Sequence, residues 1–222
     1  LGEALASVAV TGADGILFDL GFSSDLLETS GRGFSFRADE PLLMTFDDSP
    51  QPETLTARDI VNGWAAENLE LIIRTYGEER FAKRIAAEIV AARERKSIES
   101  SKELAGVIAA AVPERYRRGR INPATRTFQA LRIAVNDELR ALSEGLERGL
   151  HALRPNGRMA VIAFHSLEDR IVKRTFREWA RDDKVKLLTK KAIIPGPAET
   201  AHNPRARSAK LRGIEKNAKT LP

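Results

Sequence analysis

Two short apolar runs constrain the fold of this chain more than any other feature of its sequence. The first lies within residues 14–21 and ends in a carboxylate and a glycine, and the second lies within residues 158–166. Almost continuous apolar runs of this length are typical of strands buried on both faces of a parallel sheet. Both runs are therefore predicted to be interior strands.

A helical pattern leads into the second run. Five leucines recur there at intervals of three or four residues, namely Leu139, Leu142, Leu146, Leu150 and Leu153. A turn at residues 155–157 follows before the strand begins, which predicts the helix–turn–strand unit of a parallel α/β sheet. A capping box at residues 166–169 predicts another helix that ends near Trp179. Residues 185–194 and 206–214 are predicted as further strands, so the sheet should have at least four.

The segment between the two apolar runs has helical periodicity. It contains about 135 residues, far more than a strand–helix connection needs. Thr56 and Asp59 are predicted to cap a helix, and three amphipathic stripes follow. The stripes contain Leu69, Ile72, Ile73 and Tyr76, then Phe81, Ile85 and Ile89, then Leu104, Val107, Ile108 and Val112 before Pro113. We predict an inserted helical domain at 40–125, within an α/β domain formed by 1–39 and 126–222.

Composition excludes several kinds of chemistry. The chain of 222 residues has no Cys and three His, so disulfide scaffolds, iron–sulfur clusters and thiol nucleophiles are excluded and no metal site is expected. No apolar run approaches the ~20 residues that a membrane-spanning helix needs. We therefore expect a soluble, intracellular protein with no membrane partner.

Positive charge is concentrated in the last third of the chain. The whole sequence carries a net charge of +5, but residues 151–222 contain 17 basic and 7 acidic side chains, a net charge of +10. Lysines and arginines that neutralise phosphates release counterions, so this asymmetry favours a polyanionic partner. A solvated surface that keeps the protein soluble is the alternative.

Polar residues follow both apolar runs. Ligands of an open parallel sheet bind beyond the carboxyl ends of its strands. Asp19, Ser23 and Ser24 follow the first run, and His165 and Ser166 follow the second. A carboxylate and hydroxyls at this edge would accept hydrogen bonds from an amine or a ribose. The same residue types also cap helices and end strands, so both interpretations stay open.

A loop at residues 31–37 alternates small, aromatic and basic residues. Phe34 and Phe36 would stack on bases of a single-stranded nucleic acid, and Arg32 and Arg37 would contact its phosphates. Burial of the two phenylalanines in a core is the alternative.

A basic segment at residues 203–212 contains Arg205, Arg207, Lys210 and Arg212. These side chains fit contact with backbone phosphates. They also fit a solvated edge strand that is kept from aggregating by its charge.

Six segments of the sequence together resemble one family across nearly the whole chain. These segments are residues 14–24, 32–37, 76–85, 123–139, 164–174 and 203–208. They are similar to the bacterial RsmH (MraW) family of S-adenosylmethionine-dependent methyltransferases. That family methylates N4 of a cytidine, number 1402, in the decoding region of 16S rRNA in the small ribosomal subunit.

The resemblance implies an α/β, Rossmann-like methyltransferase fold with an inserted all-helical domain, and S-adenosylmethionine as the cofactor. It places cofactor contacts at Asp19 and at Leu26, where the family has a glutamine whose hydrogen bonds an apolar side chain cannot replace. The polar cluster at the point of methyl transfer would be Asp19 with Ser23, Ser24 and His165. The expected RNA contacts are Arg32, Phe34, Phe36, Arg37, Arg126, Ser166, Arg170, Arg205 and Arg207.

The resemblance also bears on the ends and partners of the chain. Family members carry a further stretch ahead of the position of Leu1, with a glycine-rich loop that holds the cofactor, so this piece alone is expected to be inactive. A non-catalytic RNA-binding fragment or paralogue is the alternative. The helical insertion is expected either to recognise the substrate or to form a homodimer, and the expected location is the cytoplasm.

Overall fold

The structure is a computed structural model that describes residues 11–21 and 29–218. These residues form two compact units. The helical unit contains residues 29–138, and the sheet unit contains residues 11–21 and 139–218.

The helical unit contains six described helices. They are α1 (Ala57–Gly63), α2 (Ala66–Thr75), α3 (Ala82–Arg95), α4 (Ser101–Ala111), α5 (Glu114–Arg117) and α6 (Ala124–Asn136). The predicted stripes are confirmed, since Leu69, Ile85 and Leu104 are completely buried in one core. The predicted cap is confirmed as well, because the Thr56 hydroxyl accepts from the backbone N–H of Asp59 and the Asp59 carboxylate accepts from that of Thr56.

The sheet unit places four strands in the order β1–β2–β4–β3. Its elements are β1 (Ala13–Asp19), α7 (Glu138–Ala152), β2 (Leu153–Ala163), α8 (Ser166–Arg181), β3 (Val185–Leu187), α9 (Pro197–His202), a 3₁₀ helix (Pro204–Ser208) and β4 (Lys210–Lys216). Strands β1 and β2 are parallel, whereas β4 is antiparallel to both β2 and β3. The α/β class is confirmed, but the sheet is mixed and not parallel throughout. Two neighbouring parallel strands must be joined by a long crossover connection. Strands β3 and β4 are joined only by short helices, so they run antiparallel.

The sequence predicts that β1 is buried on both faces, but the structure covers only one face of this strand. Phe18 packs against α7, where a Cβ added at Gly149 would lie 3.1 Å from the Phe18 ring. On the other face Leu17 exposes 64% of its surface, so the described residues leave that face of β1 open. Strand β2 is closer to the prediction, with Met159 and Val161 completely buried.

Three element boundaries differ from the prediction. Residues 155–157 lie within β2, where the pairing with β1 shifts register between Ala13 and Gly15. Strand β3 stops at Leu187, and Ile193 forms a single bridge to Leu211. Strand β4 begins only at Lys210, because the preceding residues form the 3₁₀ helix.

Within the described part of the chain, every helix is too short or too polar to span a bilayer.

Candidate active site

The carboxyl ends of β1 and β2 lie side by side at one edge of the sheet. Asp19 is level with Ile162, and the backbone N–H of Leu20 donates to the carbonyl of Ile162 at 2.9 Å. His165 follows three residues later, so the parallel register brings the polar ends of both strands to the same edge. Gly21 has a φ of +128°, and a Cβ there would lie 3.3 Å from the ring of Phe164. Asp19 itself is exposed, so its carboxylate is accessible to a ligand.

His165 is the N-cap of α8, a role that the sequence assigned to Ser166. Its Nδ1 accepts from the backbone N–H of Glu168 at 3.4 Å, and Glu168 Oε2 accepts from the backbone N–H groups of Phe164 and His165 at 2.9 and 3.1 Å. Because Nδ1 accepts a hydrogen bond, the neutral ring carries its proton on Nε2. This buried Nε2 lies 3.2 Å from Glu168 Oε1 without hydrogen-bond geometry.

Glu168 is held as a carboxylate by this cap. Burial raises the pKa of Glu168, but the neighbouring His165 imidazole and the hydrogen bonds from the backbone N–H groups of Phe164 and His165 outweigh it, and the net pKa lies below the usual range. The capping box therefore keeps a negative charge at the N-terminus of α8, where the helix dipole favours it.

Asp169, in the first turn of α8, ties that helix to β4. Its carboxylate accepts from Arg212 Nε at 2.7 Å and from Lys210 Nζ at 3.3 Å. Burial raises the pKa of Asp169, but the two cations, with Arg212 the stronger, bring the net pKa below the usual range. The sequence missed this contact, although Lys210 and Arg212 are two residues apart and so share one face of a strand.

We expect Asp169→Asn to destabilise the protein at pH 7 by about 2 kcal/mol, because it leaves Arg212, 12% exposed, without its carboxylate. The folded pKa of Asp169 lies below its ordinary value of 3.8, so its contribution is present above that value and is lost as the pH falls through the folded pKa. Urea unfolding between pH 7 and pH 2 should therefore show the gap between variant and wild type closing in acid.

Asp14→Asn is the matched control for this prediction. Asp14 pairs with Arg154 at 2.9 Å, but its side chain is 81% exposed, so the expected loss is below about 0.5 kcal/mol. Equal losses for the two variants would contradict the structural role of Asp169.

A cavity of about 250 Å³ lies beside the end of β2. Its polar lining consists of His165, Ser166, Arg207, Ser208 and Lys210. The structure thus brings together four residues that the sequence singled out from two distant segments, and it adds Ser208. Two further candidates, Arg170 at the start of α8 and Arg205 in the 3₁₀ helix, are exposed.

The loop at residues 31–37 does not present Phe34 as a stacking surface. Phe34 is 6% exposed and belongs to the core of the helical unit, so the alternative of core burial holds for it. Arg32 is occupied, since its Nη1 donates to the carbonyls of Thr45 and Phe46 at 2.9 Å each.

Phe36 and two arginines complete the predicted RNA contacts. Phe36 is half-buried and meets the Phe128 ring edge-on, with the centroids 5.4 Å apart. Arg37 is exposed. Arg126 is half-buried and donates to the carbonyl of Glu78 at 2.9 Å. The remaining predicted site residues, Ser23, Ser24 and Leu26, lie outside the described residues.

Comparison with known proteins establishes what kind of chain carries this site. The model of the MraW methylase family matches residues 1–217. The chain belongs to the MraW methylase family. Membership confirms the expected enzyme class, a methyltransferase, and S-adenosylmethionine as the cofactor of the family.

Three relatives are named ribosomal RNA small subunit methyltransferase H. The protein from Persephonella marina is 51% identical over 93% of this chain and 69% of its own length. Those from Trichlorobacter lovleyi and Geotalea daltonii are 47% and 48% identical, each over 97% of this chain and 73% of their own length. The resemblance drawn from the sequence segments is thereby confirmed.

Proposed function

We propose that this protein transfers a methyl group from S-adenosylmethionine to N4 of a cytidine in small-subunit rRNA, with cytidine 1402 of the decoding region as the target. The single observation that carries the proposal, beside family membership, is the parallel register of β1 and β2. It puts the Asp19 carboxylate and the His165–Ser166 end of β2 at one edge of the sheet, where sheets of this kind bind their ligands.

The cofactor, when bound, supplies an electrophilic methyl group on a sulfonium. N4 of cytosine would take this methyl group as the carbon–sulfur bond breaks, which would leave a neutral thioether and release one proton from N4 to the solvent. Such a displacement needs alignment and exclusion of water more than it needs a covalent enzyme intermediate. The chain has no Cys, and oxygen and nitrogen groups are sufficient for these tasks.

Asp19 fits one cofactor contact, because an exposed carboxylate at a strand end accepts hydrogen bonds from hydroxyl or amine groups. We assign Ser23 and Ser24 to the same polar cluster and Leu26 to the neighbouring cofactor position. His165 serves the reaction as a positioning residue, since its capping bond fixes the turn that presents Ser166 to the cavity.

The basic residues around this edge are proposed to hold the RNA backbone. Arg207 and Ser166 line the cavity beside β2, and Arg170 and Arg205 are exposed in the same unit. Guanidinium groups bind phosphates through paired hydrogen bonds, so they suit this task. In the helical unit, Arg37 and Phe36 remain candidates for contact with RNA.

The wider organisation is part of the same proposal. We propose a Rossmann-like domain at 1–39 and 126–222 with an inserted helical domain at 40–125, which acts in the cytoplasm on rRNA within the small ribosomal subunit. The α/β class and the family support this organisation. The division into two compact units supports it as well, although the helical unit also includes residues 29–39 and 126–138. Pairing of two copies through the helical unit is the further proposal to be checked by measuring the solution mass.

The test is methyl transfer by the full-length protein from labelled S-adenosylmethionine to small ribosomal subunits that lack the modification. We expect labelled N4-methylcytidine in the hydrolysed 16S rRNA, and no incorporation into subunits that are already methylated. RNA binding without any labelled product would contradict the proposal and favour a non-catalytic RNA-binding protein, which the apolar Leu26 at a cofactor position would then explain.

A further inference from the structure

The helical unit contains a cavity of about 660 Å³, and all of its lining residues belong to this unit. It is formed by the start of α3, the segment around α5 and the start of α6. Four arginines and two aromatic residues dominate its lining, namely Arg80, Arg115, Arg120, Arg126, Phe81 and Tyr116. Its volume is in the range of small-molecule sites and is large enough for a nucleotide.

The aromatic wall of this cavity is fixed from behind. The rings of Phe81 and Tyr116 meet edge-on with their centroids 4.9 Å apart. The Tyr116 hydroxyl donates to one oxygen of Glu79 at 2.5 Å, and the backbone N–H of Phe81 donates to the other at 2.8 Å. Glu79 is only 1% exposed, so its carboxylate supports the wall and does not face a ligand.

Arg80 lies over this wall. The centre of its guanidinium is 4.8 Å from the Phe81 centroid and 4.7 Å from the Tyr116 centroid. Cation–π contact with two rings orients the planar group while leaving its N–H donors available. The side chain is therefore held ready for a planar or tetrahedral anion.

Within the part of the chain that the structure describes, the arginines of this cavity have no carboxylate at ion-pair distance. All four charged residues that line it are arginines. Among residues 11–21 and 29–218, none of the ion pairs with a carboxylate involves Arg80, Arg115 or Arg120, and Arg126 donates to a backbone carbonyl. Four guanidinium groups around one cavity create a positive potential that attracts a polyanion.

We propose that this cavity binds the phosphodiester backbone of a single-stranded segment of the rRNA substrate. The inference rests on the proposed function, which supplies an RNA substrate, and it adds Arg80, Arg115 and Arg120 to the residues that hold it. Planar guanidiniums match phosphate oxygens, and the aromatic edges and the exposed Ile121 suit an unstacked base.

The experiment measures binding of a short fluorescein-labelled single-stranded oligoribonucleotide to the whole chain at several salt concentrations. For Arg115→Ala with Arg120→Ala we expect binding about tenfold weaker at low salt and a log–log salt slope shallower by about 1.4, because each phosphate contact on a single strand contributes about 0.7. Both arginines are exposed, so the fold should be kept, as circular dichroism would verify.

The matched control is Arg84→Ala with Arg117→Ala, which removes the same charge from exposed positions of the same unit outside the cavity. Its salt slope should equal that of the wild type. A wild-type slope for the Arg115 and Arg120 variant would overturn the inference. The inference would also be overturned if poly-glutamate displaced the RNA at the same concentration of negative charges. That result would assign the cavity to an acidic protein.

Failure of the inference and failure of the proposed function are distinguishable. Suppose that the wild type methylates subunits and that the double variant keeps the wild-type salt slope. The cavity is then not part of the RNA-binding surface, and the proposed function is kept. Absence of N4-methylcytidine with the wild type would remove the proposed function, whatever the slope.

Discussion

Asp19→Ala is expected to weaken binding of S-adenosylmethionine about 100-fold and to abolish methyl transfer at ordinary cofactor concentrations. Asp19 ends β1 at the sheet edge, and its exposed carboxylate is the acceptor that we assign to the cofactor. Loss of one or two charge-assisted hydrogen bonds is worth about 1.5–3 kcal/mol each, which corresponds to this change in affinity. Isothermal titration calorimetry of the full-length protein with the cofactor measures the effect directly.

Two features of this experiment separate a binding role from a structural one. Asp19 is exposed, so the unfolding free energy should change by less than about 0.5 kcal/mol, and RNA affinity should be kept. Asp14→Ala removes an exposed carboxylate from the other end of the same strand and should leave cofactor affinity unchanged. Unaltered affinity in Asp19→Ala would exclude this carboxylate from the cofactor site.

Gly33→Ala is expected to destabilise the protein by about 3 kcal/mol. Gly33 has a φ of +75°, and a Cβ there would lie 2.4 Å from the carbonyl oxygen of Pro41. The left-handed backbone costs a residue with a Cβ about 1–2 kcal/mol, and the overlap with a backbone atom adds about as much again. The loop cannot move away freely, because Phe34 and Leu42 beside it are buried in the core of the helical unit.

Gly31→Ala is the matched control for the close contact. Gly31 has a φ of +66°, yet a Cβ there would have no atom of the described residues within 4 Å. We expect a loss of about 1 kcal/mol, which measures the backbone conformation alone. Urea unfolding of both variants gives the difference between them, and equal losses would show that the approach of Pro41 to Gly33 does not limit the residue at that position.

Helices of this protein follow from short-range sequence patterns. The stripe of Leu69, Ile72 and Ile73 predicts α2, and the Thr56–Asp59 pair predicts the start of α1, because a helix brings residues three or four positions apart onto one face. The same local reasoning placed a polar edge after each apolar run. It misassigned the cap of α8 to Ser166, since a histidine accepting through Nδ1 is an unusual cap.

Residues that act through distant partners could not be assigned in this way. Phe34 and Phe36 lie two residues apart in the same loop, but one is buried in a core and the other is half-buried against Phe128. Arg32 is basic and lies in a glycine-rich loop, yet its guanidinium bonds carbonyls thirteen and fourteen residues away. No local sequence pattern predicts such contacts, because the burial of a side chain depends on which segments pack against it in the folded protein.

By itself, the sequence determined the α/β class, the helices α1 to α4, α7 and α8, the two adjacent strand ends and the family. Periodicity, caps and characteristic short segments are properties of residues that are close in sequence. Only the tertiary structure decided the antiparallel return of β4, the pairing of Asp169 with Lys210 and Arg212, and the cavity lined by arginines from three separate segments. These features depend on contacts between residues that are far apart in sequence. A single arginine becomes part of a binding site only when folding places several arginines around the same cavity.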